Sequence, residues 1–197
     1  MQEESLSPQQ SIDLIQSMIN KTKNAAADSS VFFLLWGWVV FIACLLQYFL
    51  KNILHYERHY YAWFLIIFGV AGSIYFGGKK HKAELVKTYI SEGVEQLWMG
   101  IGISFFVLAF IFSKIGYEHS FPFYMLLYAI GCFVTGRLIK FNPLIWGGIG
   151  AWILAIISAY LQYDTNILVT AASILISYII PGYMLRFQYK KTARLNS

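Results

Sequence analysis

The sequence predicts an all-α membrane protein: six transmembrane helices as three tandem hairpins, preceded by an N-terminal cytoplasmic amphipathic helix. Three observations lead there. Hydrophobic residues make up 58% of the 197 and charged residues only 13%, against about 25% charged in an average soluble domain. Six apolar stretches recur, at 31–50, 60–78, 97–115, 121–139, 143–161 and 166–185. Each is long enough, at about 1.5 Å per helical residue, to cross about 30 Å of hydrocarbon. The stretches are continuous rather than alternating, which favours helices over strands.

The third observation is the distribution of Lys and Arg. Twelve of the fifteen lie in alternate segments: Lys21 and Lys23, then Lys79, Lys80, Lys82 and Lys87, then Arg137 and Lys140, then Arg186, Lys190, Lys191 and Arg194. Only Lys51, Arg58 and Lys114 lie in the other loops. By the positive-inside bias this puts both termini in the cytoplasm, in a multi-pass protein of the cytoplasmic (inner) membrane. The net charge of +5 is then a topology signal scattered over four segments, not a nucleic-acid patch.

Three regions follow: an amphipathic segment 1–29, a six-helix domain 30–186 and a basic cytoplasmic tail 187–197. In the first, Ser7-Pro8-Gln9-Gln10 fits a capping box, and Ile12, Ile15, Met18 and Ile19 form one apolar face. A helix this short is marginal alone in water. It is expected to dock on lipid, on its own bundle, or through residues 8–24 on a cytoplasmic protein partner. No apolar h-region lies near Met1, so the first span is expected to act as its own insertion signal and be retained. Asn142 is expected to cap the fifth span with Pro143 first in the helix. The linker between spans 2 and 3, where Leu85, Val86, Tyr89 and Ile90 recur at helical spacing, is expected to be helical.

The phrases LLWGWVVF, LWMGIGISF and LIWGGIGAW open the three odd-numbered spans. The even spans close on Gly77, Gly136 and Gly182, each followed by a basic residue. These marks read as three copies of one hairpin. Trp36, Trp98 and Trp146 are expected to anchor the cytoplasmic interface, where indoles are favoured. Gly147, Ala151, Ala155 and Ala159 repeat every fourth residue and predict a face packed on another helix.

Chemistry is sparse. The spans carry no charge in their central thirds, and their polar residues are Gln47, Ser73, Ser104, Thr135, Ser158, Thr170, Ser173 and Ser177. No hydrolase, P-loop or dinucleotide motif is present in the sequence. Cys44 and Cys132 read as packing residues. His55, Glu57 and His59, with Glu118, His119 and Asp164, fall in loops on one side. His55, His59 and His119 are the metal candidates, since imidazole suits zinc or copper, and His55 and His59 would share a face if their loop is helical. The reading prefers them as solvated interfacial residues, with no metal, no cofactor and no catalytic residue.

Taken together, LIQSMINKTKN (14–24), LLWGWVVF (34–41), HYERHY (55–60), VKTYISE (86–92), RLIKFNPLIWGGIGAWIL (137–154) and IIPGYMLR (179–186) resemble an uncharacterised bacterial family of six-span integral membrane proteins. The family has no assigned activity, so the resemblance carries no site residue. It implies that the N-terminal helix is integral to the protein. The expected role is non-catalytic: an accessory, sensor or regulatory membrane protein. The alternative is a small-molecule transporter or channel built from three repeated hairpins, with a membrane enzyme third.

Overall fold

The computed structural model describes residues 8–83 and 89–195. Its elements are α1 (Pro8–Asn52), a 3-10 stretch (His59–Leu65), α2 (Ile66–Ala83), α3 (Tyr89–Ile115), α4 (Ser120–Leu138), α5 (Asn142–Ser158), α6 (Tyr163–Ile174), a π turn (Leu175–Ile179) and α7 (Ile180–Leu195). The π turn joins α6 to α7 without a break, so six rods result, and no strand occurs among the described residues. Five rods are long and apolar enough to cross a membrane: Ser30–Asn52, His59–Gly78, Tyr89–Ile115, Ser120–Leu138 and Tyr163–Gln188. Such a chain belongs in a bilayer. The sixth rod, α5, is shorter at 17 residues. It stops before the expected 161 because the chain tightens: Tyr160 donates its N–H to the Ile157 carbonyl and Leu161 to that of Ser158, both i to i−3.

Residues 8–29 are not a separate helix. They continue into the first span as one 45-residue α1. The proposed Ser7 cap, and Leu85 and Val86 of the linker, lie outside the described residues. Tyr89 and Ile90 begin α3, so the described part of that linker does extend span 3.

The helix ends explain themselves through the backbone. At the end of α4, Phe141 donates to the Gly136 carbonyl (2.8 Å) and Lys140 to that of Arg137 (3.4 Å), with Lys140 left-handed at φ 55°. This is the Schellman pattern. Because Phe141 is consumed by that turn, it also becomes the extended N-cap of α5, and Asn142 is the first helical residue rather than the cap. After α3, Gly116 takes φ 98°, and its N–H bonds to the Phe112 carbonyl, as a single left-handed cap does.

Rods α1, α4, α5 and α6–α7 form the centre, while α2 and α3 lie at the rim. Among the described elements α2 touches α1 and its own 3-10 stretch, α3 touches α4 and α1, and the two do not touch each other. The core gathers Cys44, Met125, Cys132, Leu144, Ile167 and Ile174, all at 1% exposure or less.

Glycine sets how close the central helices come. A Cβ at Gly148 would lie 2.8 Å from the Phe133 nitrogen and 2.9 Å from the Ala129 oxygen, and one at Gly136 would lie 2.9 Å from the Ile145 nitrogen. The α4 and α5 backbones therefore touch. On the far side of α5, a Gly147 Cβ would meet the Ser177 Cα at 3.0 Å, and from α1 a Gly37 Cβ would meet Ile179 Cγ1 at 2.9 Å. The π turn is thus held between two glycines of the repeated Trp-Gly phrases. The α5 stripe is real at Gly147, Ala151 and Ala155, all buried, but Ala159 is exposed at the C-cap and Ser158 ends the buried edge instead.

Gly148→Ala is expected to cost about 1–3 kcal/mol, because the atoms in the way are main chain and cannot rotate aside. Gly100→Ala, with nothing within 4 Å, is expected to be neutral or stabilising by up to about 1 kcal/mol. Thermal unfolding of both variants in one detergent checks the contrast.

Candidate functional site

Polar groups converge where α1 ends and α6 begins. Gln47, only 1% exposed, is the hub. Trp63, on the 3-10 stretch, donates its indole N–H to Gln47 Oε1 at 2.8 Å. An indole nitrogen is a donor only, so this bond fixes the amide orientation. Gln47 Nε2 then donates to the Tyr163 hydroxyl oxygen at 2.9 Å and to His59 Nδ1 at 3.3 Å. An accepting Nδ1 assigns His59 as the neutral ring with its proton on Nε2. One buried amide thereby fixes a tryptophan, a histidine tautomer and a tyrosine.

One helical turn further on, Lys51 pairs with Asp164, and its ammonium lies 4.4 Å from the Tyr163 ring centroid. Phe121 of α4 packs on the same ring at 5.5 Å. Lys51 and Tyr163 border a half-open recess of about 510 Å³, lined also by His59, Tyr117, Glu118, His119, Leu161 and Gln162. The volume lies in the range of small-molecule sites, about 300–1,000 Å³.

Of the three histidine candidates, His59 and His119 share this recess and His55 does not. His55 sits at φ 49° in the turn after α1, where Tyr56 donates back to the Leu50 carbonyl at 2.8 Å. That loop is not helical, so His55 and His59 share no helix face. No three His, Cys, Asp or Glu side chains gather as a metal site requires, among the described residues.

The tryptophans divide. Trp36 donates to Ser73 Oγ at 2.9 Å and Trp98 to Thr135 Oγ1 at 3.1 Å, both across 37 residues. Each indole fills a slot cut by glycine: Gly69 under Trp36, and Gly131 under Trp98. Both bonds join consecutive helices, α1 to α2 and α3 to α4. Trp146, 69% exposed, faces outward, so the third hairpin lacks the lock.

The interior hydroxyls are packed, and all but that of Ser173 are bonded among the described residues. Ser158 donates to Asn166 Oδ1 at 2.9 Å, Asn166 Nδ2 to the Leu161 carbonyl at 3.2 Å, and Thr170 to the Asn166 carbonyl at 2.8 Å. Thr135, Ser158, Thr170, Ser173 and Ser177 are fully buried, and none lines the recess. Sequence reasoning placed Asp164 among the loop residues on one side but did not single out Lys51, Trp63, Tyr163 or Asn166. The available signal was a lone cation at the end of span 1 facing a lone anion at the start of span 6.

No family model, curated protein or solved structure matches the chain.

Gln47→Leu is expected to lower stability by about 1–3 kcal/mol, since it strands the Trp63 N–H and the His59 acceptor. Lys51→Met is expected to cost about 1 kcal/mol or less, because the pair is exposed at 31% and 43% and solvent screens it. Unfolding followed by tryptophan fluorescence ranks the two.

Proposed function

We propose that the protein is a non-catalytic regulatory or sensory membrane protein, in which α1 links the recess to the cytoplasmic face. The observation that carries this reading is the continuity of α1. Gln47 and Lys51 occupy its last turns, and the same helix runs unbroken back to Pro8, a length of about 68 Å at 1.5 Å per residue. A change at the recess bears directly on the rod whose other end is the proposed partner helix, residues 8–24. In this reading all six rods cross the membrane as three hairpins, both termini are cytoplasmic, and the membrane is a bacterial inner membrane. Lys and Arg placement and the sequence resemblance support that topology and source.

The packed interior weighs against transport. A neutral-solute path calls for polar side chains lining a void near mid-bundle, whereas Ser158, Asn166 and Thr170 bond to one another or to their own backbone. Charge-free span centres also weigh against a proton-coupled mechanism.

Purification of the full chain in native lipid, with mass spectrometry of co-eluting proteins, tests the proposal. A soluble protein is expected to be retained, to be lost on deletion of residues 8–24, and to be retained differently by Lys51→Met. Equal retention by the deletion variant, or solute flux into proteoliposomes above empty vesicles, overturns it.

A further inference from the structure

The rod 163–195 changes its hydrogen-bond register at one place. Leu175 divides its N–H between the carbonyls of Ala171 and Ala172, and five residues on Ile180 donates to the Leu175 carbonyl, an i to i−5 bond. A π turn of this kind holds one residue more than the α-turn it replaces, and such turns occur often at functional positions.

The surroundings are built around that extra residue. Pro181 has no N–H, so the Ser177 carbonyl lacks the donor four residues on that an α-helix supplies. The thiol of Cys132, on α4, donates to that carbonyl at 3.5 Å. A thiol is a weak donor, so the substitute is easily given up. One turn earlier, the Ser173 hydroxyl is fully buried with no hydrogen-bond partner among the described residues. Gly37 and Gly147 flank the turn with backbone instead of side-chain ridges. The far end of the same short helix carries Tyr163 and Asp164, held by Gln47 and Lys51.

We infer that the π turn 175–179 is a register switch, latched by the Lys51–Asp164 and Gln47–Tyr163 bonds. Passing the extra residue out of the turn rotates α6 against α7 by about 100° and shifts it about 1.5 Å. That motion cannot occur with both latch bonds in place. Whatever opens the latch at the recess therefore changes the Cys132–Ser177 contact deep in the bundle. The inference concerns motion within the bundle and stands independently of any cytoplasmic partner.

The S–H stretching band of Cys132, read by infrared spectroscopy of the full chain in nanodiscs with Cys44→Ala as background, reports the switch directly. The latched protein is expected to show mainly a hydrogen-bonded S–H. Asp164→Asn is expected to raise the free S–H population at least about twofold, as a shifted two-state equilibrium does. Lys51→Met acts on the same bond should Asp164→Asn fail to fold. Pro181→Ala restores an N–H that competes for the Ser177 carbonyl and is expected to raise the free S–H population, the carbonyl's second lone pair leaving part of the thiol bonded. Spin labels at Leu168 and Ile153, on α6 and α5, are expected to give a second distance in the latch variants that the parent populates weakly. An S–H band and a label distance that both stay unchanged when the latch is cut overturn the inference.

Discussion

The central helices touch backbone to backbone, and everything else in the bundle is arranged around that contact. Lipid tails are as apolar as the side chains they surround, so burial by itself does not drive helices together in a bilayer. What remains is van der Waals contact and hydrogen bonding between helices. Gly136 and Gly148 remove the side chains that would hold α4 and α5 apart. Gly37 and Gly147 do the same for α1 and α5 against the π turn. On the rim helices the glycines meet side chains or nothing: Gly69 and Gly72 of α2 face Trp36 and Leu35, while Gly77 and Gly78 of α2, and Gly93, Gly100 and Gly102 of α3, have open space around them.

Polar groups in this setting must find partners inside the protein, because hydrocarbon offers none. The bundle meets the requirement at three levels. Two indole-to-hydroxyl bonds join helices within the first and second hairpins. Ser158 and Asn166 tie α5 to α6. The Gln47 amide joins α1 to both the 3-10 stretch and α6. A carbonyl denied its α-helical donor by Pro181 accepts from a cysteine, which gives Cys132 a role beyond filling space. Among the described residues the Ser173 hydroxyl is the exception, buried and unsatisfied.

Length and periodicity made the rods legible in the sequence, since a run of apolar residues flanked by charge has few other readings. The places where the reading failed are decided by backbone bonds at the helix ends or by neighbours distant in sequence. Asn142 has the right chemistry for a cap, but the Phe141–Gly136 bond moves the boundary by one residue. Ala159 has the right spacing for the packed stripe, but α5 ends before reaching it. The repeat was visible through its tryptophans, yet its working partners are Gly69 with Ser73 and Gly131 with Thr135, not the closing glycines. Gln47 was visible as a polar residue inside a span. That it organises Trp63, His59 and Tyr163 depends on contacts spanning up to 116 residues, which no local pattern records.

The two indole locks also bear on how the chain is assembled during synthesis. Trp36 and Ser73 belong to consecutive helices, as do Trp98 and Thr135, so each pair can close as soon as its second helix leaves the ribosome and enters lipid. The third pair lacks this bond, and its π turn needs Gly37 from the first helix as well as Gly147. The three consecutive pairs are thus closed by bonds local in sequence, Trp36–Ser73, Trp98–Thr135 and Ser158–Asn166, whereas the π turn is completed only against the first helix.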